Sequence, residues 1–346
     1  MVKVFITAMA RTPKAYEGGL LKKYEEQDLL AKVIEEIDKT IDINRVDELI
    51  SGTSRQTSTP SNSARYSLLL ANGPEELAAY TVNMMSASSA QAIRSGFHKI
   101  KSQQVKNVLV GGSESSSNSP AEIINGRYKF DKDTKIIYKP MSEMQEIVGF
   151  KKDNKDKHSE LVEEISKNFD NSKELNLVSL TAKVKKEVID VNKDDINKEG
   201  NFGFGDGAVI FHLSDSEKNS IAELVDVKAI STQGFALEEQ IKNFLDKNKV
   251  KANAINKIAF TELNYSNTEA QINELTKLGY KREDLFNNIL DFSTSNIFTP
   301  LVPGAESGIK LFNIINNLDK GSYGLIVANS EDNQGVLLLV KRSNND

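Results

Sequence analysis

The segment Val82, Asn83, Met84, Met85, Ser86, Ala87, Ser88, Ser89 carries the strongest candidate for chemistry in this chain of 346 residues. It leads from a β-type run into an apolar-periodic helix, so Ser86 falls at a strand-to-helix turn. Such a turn exposes a small nucleophile and aims backbone N–H groups and the positive end of a helix at developing negative charge. A plainer role fits the same residues, because Ser86 and Ser88 are helix-capping types and Ala and Ser permit close packing. A hydroxyl nucleophile needs an adjacent base to take its proton. Histidine occurs at His98, His158 and His212. His98 falls roughly three turns down the helix that follows Ser86, ~18 Å along its axis. His158 lies in a Lys-rich stretch and His212 at a strand end, and all three read as surface or packing residues.

Other candidates carry less. Asp206 between Gly205 and Gly207 has the form of a metal or phosphate contact, but no carboxylate or histidine set accompanies it, so it reads as a turn and no metal is expected. Glu25, Glu26, Glu35 and Glu36 fit a solvated helix face, not a catalytic carboxylate pair. No Walker or dinucleotide glycine fingerprint occurs. The chain has no cysteine, which excludes disulfides, thiolate zinc sites, iron–sulfur clusters and a thiol nucleophile together.

The elements that must position Ser86 follow an α/β rhythm. Short β-branched runs and helical periodicity alternate, which predicts strands at 3–7, 48–52, 80–83 and 107–110 and helices at 27–38, 61–71 and 88–101. From 119 to 200 the composition turns Lys-, Asn- and Asp-rich, with amphipathic helices expected near 160–169 and 172–188. This stretch reads as an insertion, after which a strand resumes at 207–213. The sequence also repeats weakly. Residues 108–115 line up with 325–332, and 46–53 pairs with 256–263 at nearly the same offset. Each of the first two segments is preceded by a helix with a small, polar start: Ala87, Ser88 and Ser89 in one, Gly304, Ala305, Ser307 and Gly308 in the other. Two similar halves around a shared site are expected, with 1–118 plus 201–218 as the first, 119–200 as the insertion and 219–346 as the second.

Composition supports a globular protein with a modest core: 39% of residues are apolar, and 44 Lys plus Arg face 49 Asp plus Glu for a net charge of −5. No broad basic face is available for nucleic acid, and the Lys runs are interleaved with acids. No membrane span or signal-peptide pattern is expected, which points to the cytoplasm.

The elbow resembles the nucleophile segment of the thiolases, in which Val-Asn and two apolar residues precede a reactive cysteine and small residues. Other motifs agree in order. Ala10, Arg11, Thr12, Pro13, Gly18 and Gly19 resemble the opening Arg-Thr-Pro and glycine turn. Gly111, Gly112, Ser113, Glu114 and Ser115, followed by Ser117, Asn118, Ser119 and Pro120, resemble the glycine-glycine-x-Glu-Ser loop. Gly205, Asp206, Gly207 and Ala208 resemble the Asn-Asp-Gly-Ala strand entry, and Glu262, Leu263 and Asn264 the start of the Glu-Leu-Asn-Glu-Ala-Phe motif. Ser307, Gly308, Gln334 and Gly335 fit the last two motifs.

This resemblance implies a thiolase-like α/β fold, two pseudo-duplicated βαβαβ-type halves in a five-layered αβαβα core with a shortened insertion. The departures fall on the chemistry. Ser86 stands at the family's nucleophilic cysteine, Val302 at its histidine and Asn329 at its second cysteine, while Asn264 is retained. Cysteine supplies a useful thiolate near neutral pH and serine does not. Val302 accepts no proton, and Asn329 donates hydrogen bonds but is no base. The resemblance therefore implies a non-catalytic or weakly active relative that takes coenzyme A or an acyl-CoA as ligand, without a covalently bound cofactor, or partners an active thiolase-like subunit. A rival expectation is an acyltransferase that uses Ser86. The family also implies a homodimer or dimer-based tetramer, paired through the strand near 80–83.

Overall fold

The computed structural model describes residues 2–55, 62–118, 123–124, 127–128, 178–181, 185–187, 204–231, 236–261, 265–291, 299–330 and 333–344. The first half runs β1 (Phe5–Arg11), β2 (Ala15–Tyr16), α1 (Glu26–Asp38), β3 (Glu48–Gly52), α2 (Ser63–Leu70), β4 (Ala78–Val82), α3 (Ser88–Lys101) and β5 (Asn107–Ser115). Short strands follow: β6 (Ile123–Ile124), β7 (Arg127–Tyr128), β8 (Val178–Thr181) and β9 (Lys185–Glu187). Then come β10 (Gly205–Ser214), β11 (Ala222–Ser231), α4 (Leu237–Lys247), β12 (Ile255–Phe260), α5 (Tyr265–Lys277), α6 (Glu306–Asn317), β13 (Tyr323–Asn329) and β14 (Gln334–Arg342).

The strand order shows the duplication. It reads β4-β3-β5-β10-β1-β11-β14-β13-β12, and the two halves join where β1 pairs with β11 through Phe5–Glu223 and Ile6–Ala222. In the first half β3 is parallel to β4 and β5, while β10 is antiparallel to both β5 and β1. In the second, β12 is parallel to β13, and β14 is antiparallel to both β13 and β11. Among the described residues, a parallel bridge between Ile258 and Leu290 takes the place of β4. The repeated segments of the sequence thus occupy equivalent places, β5 with β13 and β3 with β12.

Layering follows from the alternation of side chains along the strands. Val110 and Phe211 of one half and Ile326 and Leu338 of the other face a central cluster with Ile93 and Phe97 of α3 and Ile309 and Phe312 of α6. Leu109 and Ile210 point the other way, onto Leu30 and Ile34 of α1 and Leu68 of α2. Leu325 and Leu339 point onto Phe244 of α4 and Ile272 of α5. The result is five layers: outer helices, sheet, paired central helices, sheet, outer helices. Complete burial of a side chain such as Phe312 contributes about 1.5–3 kcal/mol, so these clusters are what hold the layers together.

α3 is legible from its pattern. Ala90, Ile93, Phe97 and Ile100 are buried at three- and four-residue spacing, and Gly96 lets the helix close on the sheet. A Cβ at Gly96 would lie 2.6 Å from Val110 Cγ1. His98, Lys99 and Lys101 in the last turn complement the negative end of the dipole. α6 is buried on every side from Glu306 to Ile315, as a helix between two sheets must be.

Several expectations need correction. β8 and β9 lie where a helix over 172–188 is expected; β8 pairs with β1 (Ala10–Ser179, Met9–Leu180), so backbone pairing along that edge overrides the helical pattern. The helix expected at 160–169 lies outside the described residues. β5 continues through Gly111 and Gly112 to Ser115, well past the expected 107–110. Asp206 stands in strand β10, not in a turn. Glu26 and Glu36 are 0% and 2% exposed and do not form part of a solvated face.

Candidate functional site

The elbow is built by hydrogen bonds around Ser86. β4 ends at Val82, and Asn83 Oδ1 then accepts from the Met85 N–H at 3.0 Å while Asn83 Nδ2 donates to Ser54 O at 2.9 Å. The Ser88 hydroxyl accepts from the Met84 N–H at 2.9 Å and faces the carbonyls of Thr53 and Met85 at 3.0 and 2.6 Å. Met85 takes φ +48°, a left-handed conformation that is strained for a long side chain. The backbone can fold this tightly because Gly52 lies beneath it; a Cβ there would come within 2.4 Å of Ser88 C. Ser86 itself is fully buried at the mouth of α3.

The second half brings α6 to the same place. Ser89 Oγ and Ser307 Oγ are 2.8 Å apart, Gly308 N–H donates to Ser89 Oγ and Ala90 N–H donates to Ser307 Oγ, both at 2.9 Å. The two helix starts therefore cap each other, which converges their positive ends on one locus. Gly112 and Gly304 make the approach possible: a Cβ at Gly112 would lie 2.2 Å from Gly304 O, and one at Gly304 would lie 2.3 Å from Ser113 O.

Val302 thus stands in the turn that enters α6, across the helix junction from the Ser86 elbow. Its side chain is fully buried, and its N–H donates to Glu306 Oε2 at 3.0 Å. Glu306 is held in turn by Lys14 at 3.0 Å and Lys310 at 3.6 Å, and all three side chains are 0–1% exposed. Asn329 closes β13; its N–H donates to Thr261 Oγ1 at 2.9 Å and its carbonyl accepts from that hydroxyl at 3.0 Å. Asn329 Oδ1 is buried without a hydrogen-bond partner among the described residues. The strand that follows begins at Gln334, which lines one groove of about 440 Å³ with Val82, Asn83, Met84, Gln91 and Arg94. Asn264 lies outside the described residues.

The described histidines sit elsewhere. The His212 ring is bonded to the Thr7 hydroxyl, and burial pushes its pKa down to about 4. His98 is exposed in the last turn of α3, with its pKa lowered by burial and by Arg94. His158 lies outside the described residues.

Carboxylates to which the sequence reading gives no role in the chemistry lie behind the elbow. Thr53 Oγ1 faces Glu26 Oε2 at 3.0 Å, and Glu114 Oε2 accepts from the N–H groups of Ser54 at 3.0 Å and Gly304 at 3.2 Å. Burial pushes Glu26 up to about 7, against the pull of the Ser63 and Thr53 hydroxyls. Burial and the neighbouring charge of Glu26 push Glu114 up to about 8. Asp206 accepts from Ser117 N at 2.9 Å and from the Ser115 and Ser117 hydroxyls, and burial raises it to about 6. The signal for Glu114 is its place in a glycine-flanked motif on a strand buried along its length. Glu26 shows none, since an acid in a first helical turn is usually solvated. Among the described residues no group of three or more His, Cys, Asp or Glu is placed to hold a metal, and no helix is long and apolar enough to cross a membrane.

A duplicated five-layer α/β fold whose central helices meet start to start, beside a strand-to-helix elbow, defines the thiolase-like class. Solved structures agree. An Ascaris suum thiolase in complex with coenzyme A superposes with a TM-score of 0.73 at 18% identity, covering 98% of this chain and 100% of that one. A Bacillus anthracis acetyl-CoA acetyltransferase gives 0.72 at 19% identity and human mitochondrial 3-ketoacyl-CoA thiolase 0.71 at 20%, each covering 99% of both chains. Residues 4–193 match the family model described as thiolase, N-terminal domain. The chain belongs to the thiolase family. A Staphylococcus aureus protein described as a probable acetyl-CoA acyltransferase is 34% identical over 132 residues, 38% of this chain. That match spans about a third of the relative's length, 34%.

Proposed function

We propose that this chain binds coenzyme A or an acyl-CoA thioester and turns it over weakly or not at all, acting as a ligand-binding or partner subunit. The observation that carries the reading is the state of position 302. Where the family's histidine would stand, an apolar side chain is fully buried and its backbone is fastened to Glu306 inside the Lys14–Glu306–Lys310 cluster. In this reading Ser86 holds the nucleophile position without a thiolate, and Asn329 offers a hydrogen bond where removal of an α-proton needs a base. Asn264 is assigned to the oxyanion site through its motif. The facing helix starts still bring their positive ends to one locus, which favours a thioester oxygen, so binding survives where proton transfer does not.

Titration calorimetry with coenzyme A and acetyl-CoA tests the binding. Incubation of acetoacetyl-CoA with coenzyme A tests turnover. Binding with turnover far below ordinary enzyme rates of 1–10³ s⁻¹ is expected; ordinary rates overturn the reading.

A second reading is favoured by the tight elbow, Ser86 at the mouth of α3 and Met85 at φ +48°. Here Ser86 Oγ attacks the thioester carbonyl, the C–S bond breaks, coenzyme A leaves as the thiol with the serine proton, and an acyl-Ser86 ester remains. Intact-mass analysis after exposure to an acyl donor would show an acyl increment that Ser86→Ala abolishes.

The proposal extends to assembly and organisation. β4 lies at the edge of the sheet and is partly exposed along its length, with Met85 and Tyr66 exposed nearby, so a second copy pairing there gives a dimer or dimer-based tetramer. The halves are assigned to 1–118 with 201–218 and to 219–346, with 119–200 as a reduced insertion. A cytoplasmic setting belongs to the same proposal.

A further inference from the structure

We propose that Glu26 and Glu114 hold one proton between them and that this pair positions, as a unit, the turn carrying Ser86 and the turn carrying Val302. Both carboxylates engage one dipeptide: the Thr53 hydroxyl faces Glu26 Oε2 at 3.0 Å, and the Ser54 N–H donates to Glu114 Oε2 at 3.0 Å. The carbonyls of the same dipeptide hold the elbow. Thr53 O accepts from Ser88 Oγ at 3.0 Å, and Ser54 O accepts from Asn83 Nδ2, whose amide oxygen holds the Met85 N–H. One peptide step separates the acids from the elbow. Glu114 also accepts from Gly304 N–H at 3.2 Å, two residues past Val302.

The case for a shared proton rests on the remaining oxygens. Glu26 Oε1 and Glu114 Oε1 are both buried without a hydrogen-bond partner among the described residues. A buried acceptor left unpaired costs about 1–3 kcal/mol, and two like charges in one dry site do not both ionise cheaply. A proton taken from solvent onto one carboxylate and directed at the other removes the second charge and satisfies an oxygen on each. The charged neighbours are Arg55, which favours ionised Glu114, Glu25, which opposes ionised Glu26, and beyond Gly304 the Lys14–Glu306–Lys310 cluster at the start of α6. Thr53 supplies the linkage. Its hydroxyl has one proton and two acceptors, Glu26 Oε2 and Arg55 O, each at 3.0 Å, so a change of charge on Glu26 re-aims it and moves the dipeptide.

The inference rests on reading the two turns as the site, but its test needs no ligand. Amide proton–nitrogen spectra of the intact ¹⁵N-labelled protein are recorded from about pH 5.5 to about pH 9, the range over which raised carboxylates titrate. The amides of Ser54, Gly304 and Met85 should shift with one common midpoint, although Met85 touches neither acid. In Glu26→Gln the Ser54 and Gly304 midpoint should move to lower pH, because the like charge is gone. Flat amides at Ser54 and Gly304, or a shift there that leaves Met85 unmoved, would overturn the pair. The wild-type titration decides this alone if Glu26→Gln does not fold, and failure of acyl-CoA binding leaves it intact.

Discussion

The hydroxyls of Ser89 and Ser307 meet at 2.8 Å, and each accepts the N–H that opens the other's helix, Gly308 to Ser89 and Ala90 to Ser307. Residues 218 positions apart in sequence thus form a single reciprocal cap. Ser89→Ala or Ser307→Ala leaves a buried N–H and a buried hydroxyl without their partners and should cost about 1–3 kcal/mol. The double variant should cost less than the sum, because each single change strands the other hydroxyl while the double change removes both. Urea unfolding of the four proteins at constant slope measures the coupling.

Stability should fall as pH rises from about 4.5 to about 8. The Glu26–Glu114 pair binds protons more tightly folded (about 7 and about 8) than unfolded (4.5), giving up one near neutral pH and the shared one last, so the native state carries more protons across that window and loses stability as pH climbs through it. Above it the loss is complete. Melting temperatures at fixed ionic strength should show this decline, and Glu26→Gln should flatten it.

On the acid side the sign reverses. The His212 pKa drops from 6.5 to about 4 on folding, so the unfolded chain takes up the proton first and this group's own contribution to stability falls as pH decreases from 6.5 towards 4, opposing that of the two glutamates there. At about 1.4 kcal/mol per pKa unit the full effect is about 3 kcal/mol. His212→Gln, compared with the native protein by urea unfolding at pH values on both sides of this window, should remove that acid limb.

Breaking the buried ion cluster should be costly and ordered. Glu306→Ala leaves two ammonium groups without the carboxylate between them and takes the acceptor from the Val302 N–H, a change in the range of about 3–5 kcal/mol. Lys14→Met keeps the Glu306–Lys310 contact at 3.6 Å and the helix start, so it should cost less. Guanidinium titration of both variants gives the order.

If β4 carries self-association, a charge placed beside it should dissolve the assembly. Met85 is 38% exposed next to that edge. Met85→Glu adds a like charge near the two-fold partner and should shift light-scattering mass from dimer towards monomer while leaving the melting temperature of the protomer nearly unchanged.

How much of this the chain announces depends on whether local chemistry or distant contacts decide. α3 is legible to the residue because its apolar spacing and basic last turn are local, and the duplication is legible because β5 and β13 keep the same apolar run. β5 is read short because Gly111 and Gly112 look like strand breakers; they are glycines for contact, and a Cβ on Gly111 would lie 2.0 Å from Val209 O. Glu26 is read as solvated because nothing near it in sequence reveals Thr53 and Glu114. The same limit hides Lys14, whose partner Glu306 lies 292 residues away. Ser86 and Val302 are candidates through motif order alone, whereas the meeting of the two helix starts beside them follows from distant contacts such as Ser89–Ser307.

β1 has one further consequence, for assembly of the chain over time. It is made well before its partners β10 and β11 and is the central strand of the finished sheet, pairing Ala10 with Ile210 and Phe5 with Glu223. About two hundred residues must leave the ribosome before either flank arrives, a delay of tens of seconds at ordinary rates of elongation. With partners so distant, folding is slow and the nascent β1 exposes unpaired edges meanwhile. Chaperone demand should therefore be set by the long wait of β1 for its neighbours.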